Sequence, residues 1–182
     1  MEPIFAAVLA GDLSQITAAA AAQRMEEDLL VPQVHWLYRG DTPLHLAAAA
    51  LRYDAARALL AAGAPVNAVN RRGAAALHYA CDARPLAPTW DPATQRRVIE
   101  LLVSAGADPR TMTSKAGSTP LHLAVAPTGA SGTAGAGDLQ LEIVRLLLAA
   151  GATLADADAN GVAVADRIQS QALRDALATG HL

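Results

Sequence analysis

The sequence predicts an all-α solenoid, a stack of helix-turn-helix units joined by hairpin-like fingers. Three observations point there. The octapeptide Gly40-Asp41-Thr42-Pro43-Leu44-His45-Leu46-Ala47 returns as Gly117-Ser118-Thr119-Pro120-Leu121-His122-Leu123-Ala124, identical in seven of eight positions. A looser copy begins at Gly73, 33 residues after the first, and a fourth at Gly161. A second motif interleaves with these: Leu59-Leu60-Ala61-Ala62-Gly63-Ala64, Leu102-Val103-Ser104-Ala105-Gly106-Ala107 and Leu147-Leu148-Ala149-Ala150-Gly151-Ala152. Finally, the chain is 53% hydrophobic but only 3% aromatic and holds 45 alanines among 182 residues, so its core must be built from closely approaching helices.

Each element follows from local chemistry. Phe5 to Leu13 reads as the shortened first helix of an N-terminal capping unit. Thr42 and Thr119 are suited to cap a first helix, with Pro43 and Pro120 at the first helical position, where the missing N–H costs no bond. His45 and His122 fall three residues past the cap, placed to bond back toward it as the acid of a capping box would. A second helix then ends at Gly63, Gly106 or Gly151, each supplying the left-handed residue of a helix stop. The nine or ten residues that follow, such as Ala64 to Arg72, are short and turn-rich and read as a finger leading to the next unit. Leu173 to Leu177 ends a C-terminal cap. The expected units are 1–39 (cap), 40–72, 73–116, 117–160 and 161–182 (cap), within a single domain.

These motifs resemble the ankyrin repeat family, whose consensus is similar to G-x-T-P-L-H-x-A-A followed by a leucine pair and G-A-x-x-N-A. The resemblance covers nearly the whole chain as about five repeats, and it implies a non-catalytic protein-binding module. Departures from the pattern are specific. Gly73 to Gly117 and Gly117 to Gly161 are each 44 residues apart, eleven beyond the period. The third unit carries ten extra residues between its helices, around Ala83 to Asp91, and one more in its finger. The fourth carries Pro127 to Gly137, a glycine-rich run that reads as a linker. Insertions at equivalent places emerge on one side of the stack. Met25 to Arg39 exceeds a standard finger, and Leu51 stands where the family has a turn glycine.

Composition and spacing exclude several classes of function. Fourteen basic against 17 acidic residues, net charge −3, give no global positive field for nucleic acid. The N-terminus lacks the basic start of a secretory signal, and no apolar run is long enough to span a membrane, so a cytoplasmic protein is expected. The lone Cys81 cannot form an internal disulfide. Thirteen of the 14 basic residues are Arg, and with the alanine excess this suggests a GC-rich bacterial source.

Candidate chemical sites have plain structural readings. His45, His78 and His122 occupy one slot per repeat, about 8 to 10 Å apart, too far to converge on a zinc ion that needs ligands about 2.0 to 2.1 Å away. They therefore read as structural, and no metal or cofactor is expected. Cys81 with His78 is the alternative, a thiol-dependent hydrolase, but its equivalents are Ala48 and Val125, which makes the slot a packing position. The glycine-rich run precedes Asp138 and no Gly-Lys-Ser/Thr follows, which opposes a phosphate loop.

Partner binding has more support. The resemblance implies a contact stripe made by residues flanking the repeat glycine and ending the first helix. By position these are Tyr38, Arg39 and Asp41; Arg71, Arg72, Ala74 and Asp82; Lys115 and Ser118; and Ala159, Asn160 and Val162. Trp36 on the enlarged finger and Trp90 in the third unit's insertion join them as aromatic candidates, either of which alternatively anchors its own loop. Arg39, Arg71, Arg72 and Lys115 form a basic run that favours an acidic protein surface. The resemblance extends at family level to small bacterial ankyrin proteins acting as immunity proteins or inhibitors. A purely structural scaffold is the remaining reading, although the methionine start and capped ends read as a complete chain. Oligomeric state is not encoded.

Overall fold

A computed structural model describes residues 3–26, 28–31, 35–82, 91–126 and 138–179. The chain opens with α1 (Pro3–Ala10), a 3₁₀ turn at Leu13–Gln15 and the short α2 (Ala18–Ala21). First helices then alternate with second helices: α3 (Pro43–Ala49) and α4 (Tyr53–Ala61), α5 (Ala76–Cys81) and α6 (Pro92–Ser104), α7 (Pro120–Ala124) and α8 (Asp138–Ala149), α9 (Val164–Arg167) and α10 (Gln171–Ala178). First helices pack in the series α1, α3, α5, α7, α9, and second helices in the series α4, α6, α8. This is the predicted solenoid.

The core lies between the two helix layers. Phe5, Leu44, Leu46, Leu59, Leu77, Ile99, Leu102, Leu121, Ile143 and Leu147 are fully buried, and alanines such as Ala47, Ala56, Ala80 and Ala124 let the backbones approach. None of the described helices is long and apolar enough to cross a membrane.

The capping chemistry is as expected and then goes further. The Nδ1 of His45, His78 and His122 accepts the backbone N–H of Thr42, Ala75 and Thr119 at 3.0, 3.1 and 3.1 Å. An acceptor Nδ1 on a neutral ring leaves the proton on Nε2, and each Nε2 donates onward to a carbonyl of the following unit: Ala74 at 3.0 Å, Ser118 at 3.1 Å and Val162 at 3.3 Å. The three imidazoles thus bolt consecutive units together. The capping role alone follows from the sequence; the inter-unit bonds are a further finding.

Fingers are closed by isolated antiparallel bridges, Val69 with Ala75 and Ala157 with Ala163. Consecutive fingertips are strung by single backbone bonds, Arg71 N–H to Arg39 C=O at 2.9 Å, Ser114 N–H to Arg72 C=O at 2.6 Å, and Ala159 N–H to Ala116 C=O at 3.0 Å. At Gly117 a side chain is impossible: φ is +62°, and a Cβ would lie 2.5 Å from Ala159 N. The first finger departs from an all-helical picture. It contains a small antiparallel pair of strands, β1 (Leu29–Val31) and β2 (His35–Leu37), which places Trp36 opposite Leu30.

The turn between helices takes two forms. In the second unit Leu51, at φ +52°, makes a tight turn, and Arg52 N–H caps the first helix by donating to Ala47 C=O at 2.8 Å. In the third and fourth units the same carbonyl, Ala80 or Ala124, is met by the side-chain amide of buried Gln95 at 2.9 Å or Gln140 at 3.0 Å. Arg52, Gln95 and Gln140 each stand eleven residues ahead of their unit's stop glycine. The second helices there are correspondingly longer, 13 residues in α6 and 12 in α8 against 9 in α4. The two insertions expected around 83–91 and 127–137 fall outside the described residues, apart from Asp91, whose carboxylate caps α6 through Thr94 N–H at 2.9 Å.

Candidate partner-binding surface

The fingertip bonds place Arg39, Arg71, Arg72 and Lys115 in order along three neighbouring fingers. All four are exposed. The Arg72 guanidinium lies flat over the half-buried Tyr38 ring, 3.8 Å from its centroid. Arg71 pairs with Asp28 of the first finger, whose other carboxylate oxygen accepts the Arg39 backbone N–H at 2.9 Å. Arg24 ties the first two fingers by donating to Gly40 C=O at 3.2 Å and Val69 C=O at 3.0 Å. Arg24 and Asp28 were not among the expected site residues. Asp28 and Arg71 are 43 positions apart, a pairing that no local pattern announces.

Three expected contact residues are corrected. Asp41 is wholly buried and spends its carboxylate internally, accepting from Asn70 Nδ2 at 2.8 Å, the Tyr79 hydroxyl at 2.7 Å and Tyr38 N–H at 2.6 Å. A buried carboxylate so satisfied is a strut of the finger and meets no partner. Ser118 is also buried, its carbonyl taken by His78. Ala74 is likewise buried. Asp82 is half-buried at the end of α5, while Val162 is half-buried and Ala159 and Asn160 are exposed on the last finger. Trp36 lies in β2, and Trp90 falls outside the described residues.

The chemical alternatives fare differently. Cys81 is fully buried, and burial together with the neighbouring Asp82 charge pushes its thiol well above the usual range, so thiolate does not form near neutral pH. Both ring nitrogens of His78 are committed to backbone groups, which leaves none to act as a base on Cys81. Burial also lowers His78 to about 4, against weaker opposing hydrogen bonds, and lowers His45 and His122 as well. Neutral, doubly bonded imidazoles are structural. No group of three potential metal ligands occurs among the described residues.

What the fold and this surface define is a repeat solenoid with a continuous fingertip face. A family model described as ankyrin repeats, in three copies, matches residues 4–87, and a second, for a single ankyrin repeat, matches residues 116–160. The chain is also similar to the neurogenic locus notch homolog protein 4 of Homo sapiens, 36% identical over 129 residues. That match covers 67% of this chain but only 6% of the human protein. The chain belongs to the ankyrin repeat family, whose repeats indicate a protein–protein interaction module.

Proposed function

We propose that this array binds one protein partner through its fingertips and first helices, and by occupying that partner regulates or neutralises it. The observation that carries the reading is the exposed basic run Arg39, Arg71, Arg72 and Lys115, held in sequence by inter-finger backbone bonds. Such a row is complementary to an acidic protein surface. The contact set now comprises Trp36, Tyr38, Arg39, Arg71, Arg72, Asp82, Lys115 and Asn160, with Trp90 as an outlying candidate. A cytoplasmic bacterial immunity or inhibitor protein is the particular form we favour, on family resemblance and the arginine-rich, alanine-rich composition.

The test is paired affinity capture with the wild-type chain and with Arg71→Glu/Arg72→Glu as baits. A protein retained by the first and lost by the second supports the stripe, provided both baits melt alike. Trp36→Ala should act mainly by speeding dissociation, with a loss reaching about 2 kcal/mol if Trp36 is an anchor. Cys81→Ala should bind as wild type. Full-strength binding by both stripe variants moves the interface elsewhere.

A further inference from the structure

We propose that the first finger carries a built-in competitor: Asp28 occupies the seat on the Arg39 and Arg71 fingertips that a carboxylate of the partner takes, so an acidic segment of another protein binds by displacing it. This rests on the fingertip reading above and names what the fingertips recognise.

The seat has two donors, one for each carboxylate oxygen. Arg39 N–H donates to Asp28 Oδ1 at 2.9 Å, and the Arg71 guanidinium pairs with Oδ2. The two donors come from adjacent fingers whose spacing is set by the Arg71 N–H to Arg39 C=O bond, so the backbone keeps the two fingertips side by side. A backbone N–H beside a guanidinium matches a carboxylate in charge and in geometry. The occupant is replaceable. Asp28 and Arg71 side chains keep 31% and 52% of their surface in water, and an ion pair so exposed contributes little. Around the seat stand Arg24, exposed Arg39, Arg72 stacked on Tyr38, and Lys115 one finger on, with exposed Glu26 sharing a concavity with Arg24 and Arg39, so cations outnumber the acids Asp28 and Glu26 among these residues. That excess favours a run of Asp and Glu over a lone carboxylate.

Binding of fluorescently labelled hexaglutamate to the full chain, read by anisotropy at low salt, tests this directly. Asp28→Ala should bind the peptide about two- to fivefold more tightly than wild type, and the gain should vanish in an Arg71→Ala background. Glu26→Ala, which removes the same charge two residues away, should show no comparable gain. Hydrogen exchange at the Arg39 amide should accelerate in Asp28→Ala and confirm that the seat has been emptied. An emptied seat without tighter binding, or equal gains in Asp28→Ala and Glu26→Ala, overturns the proposal. An equal gain for a thymidine hexanucleotide overturns it too, since the seat would then take any anion. Loss of the captured protein by Arg71→Glu/Arg72→Glu alongside such a result would leave the fingertip reading standing and remove only the displacement.

Discussion

The second unit and the two that follow it solve one problem in opposite ways. In the second unit the chain turns tightly through Leu51, and a backbone N–H closes the end of the first helix. In the third and fourth, whose sequences carry extra residues between the helices, a buried glutamine side chain delivers the same hydrogen bond to the same carbonyl. Extra sequence between paired helices therefore need not disturb the stack, provided that this one acceptor is met. A buried carbonyl left bare costs about 1 to 3 kcal/mol, whereas loop length itself costs only about 0.6 kcal/mol per doubling.

The largest expected effect tests whether tight and opened units share one core. Leu44→Ala and Leu121→Ala remove equivalent, fully buried leucines and should each cost about 2 to 5 kcal/mol in denaturant unfolding. A loss below about 1 kcal/mol for Leu121→Ala would show that the opened unit packs loosely.

Acid comes next. The folded chain keeps His78 neutral down to about pH 4, while an unfolded histidine takes up its proton near 6.5. The unfolded state then binds the extra proton, so stability falls as pH drops from about 6.5 to 4. His78 alone should account for about 3 kcal/mol of the fall. His45 and His122, shifted in the same direction, add to it. Unfolding midpoints between pH 7 and 4.5 measure this, and His78→Gln should flatten the slope. An unchanged slope would mean that the His78 ring is not buried in the folded third unit.

Smaller, and most specific to the comparison, Gln95→Ala and Gln140→Ala should each cost about 1 to 3 kcal/mol. Arg52→Ala, at the matching position of the tight unit, should stay within about 0.5 kcal/mol, because there the backbone makes the bond. Equal effects at all three positions would abolish the distinction. Leu51→Gly should also have a small net effect. Relief of a left-handed residue, about 1 to 2 kcal/mol, nearly offsets the lost burial of about 1.5 to 3 kcal/mol, and the melting temperature should move by only a few degrees.

Most of the repeat architecture was legible because it is written in short-range grammar. Thr42-Pro43, Gly63 and the recurring Leu44, Leu77 and Leu121 each act within one helical turn or one period. The departures were long-range. Nothing near His45 announces that its Nε2 reaches Ala74, 29 residues away, although the fixed slot of the three histidines hinted at a shared duty. Asp41 reads as a fingertip acid until Asn70 and Tyr79 are folded over it, 29 and 38 residues downstream. Of the site, the arginine run was visible as spacing. The contribution of Asp28 and Arg24 was not, because it depends on how the enlarged first finger lies across its neighbour.

The carbonyls of Ala47, Ala80 and Ala124 turn the junction between paired helices into a port for grafting. A guest segment whose downstream flank restores one amide donor in the right place keeps that carbonyl satisfied. The tight second unit can be opened by the same recipe, with a peptide inserted after Leu51, Arg52→Gln, and one extra helical turn ahead of Tyr53. A scaffold with three such ports on one edge can carry epitopes or sensors there while its fingertips stay free for their own ligand.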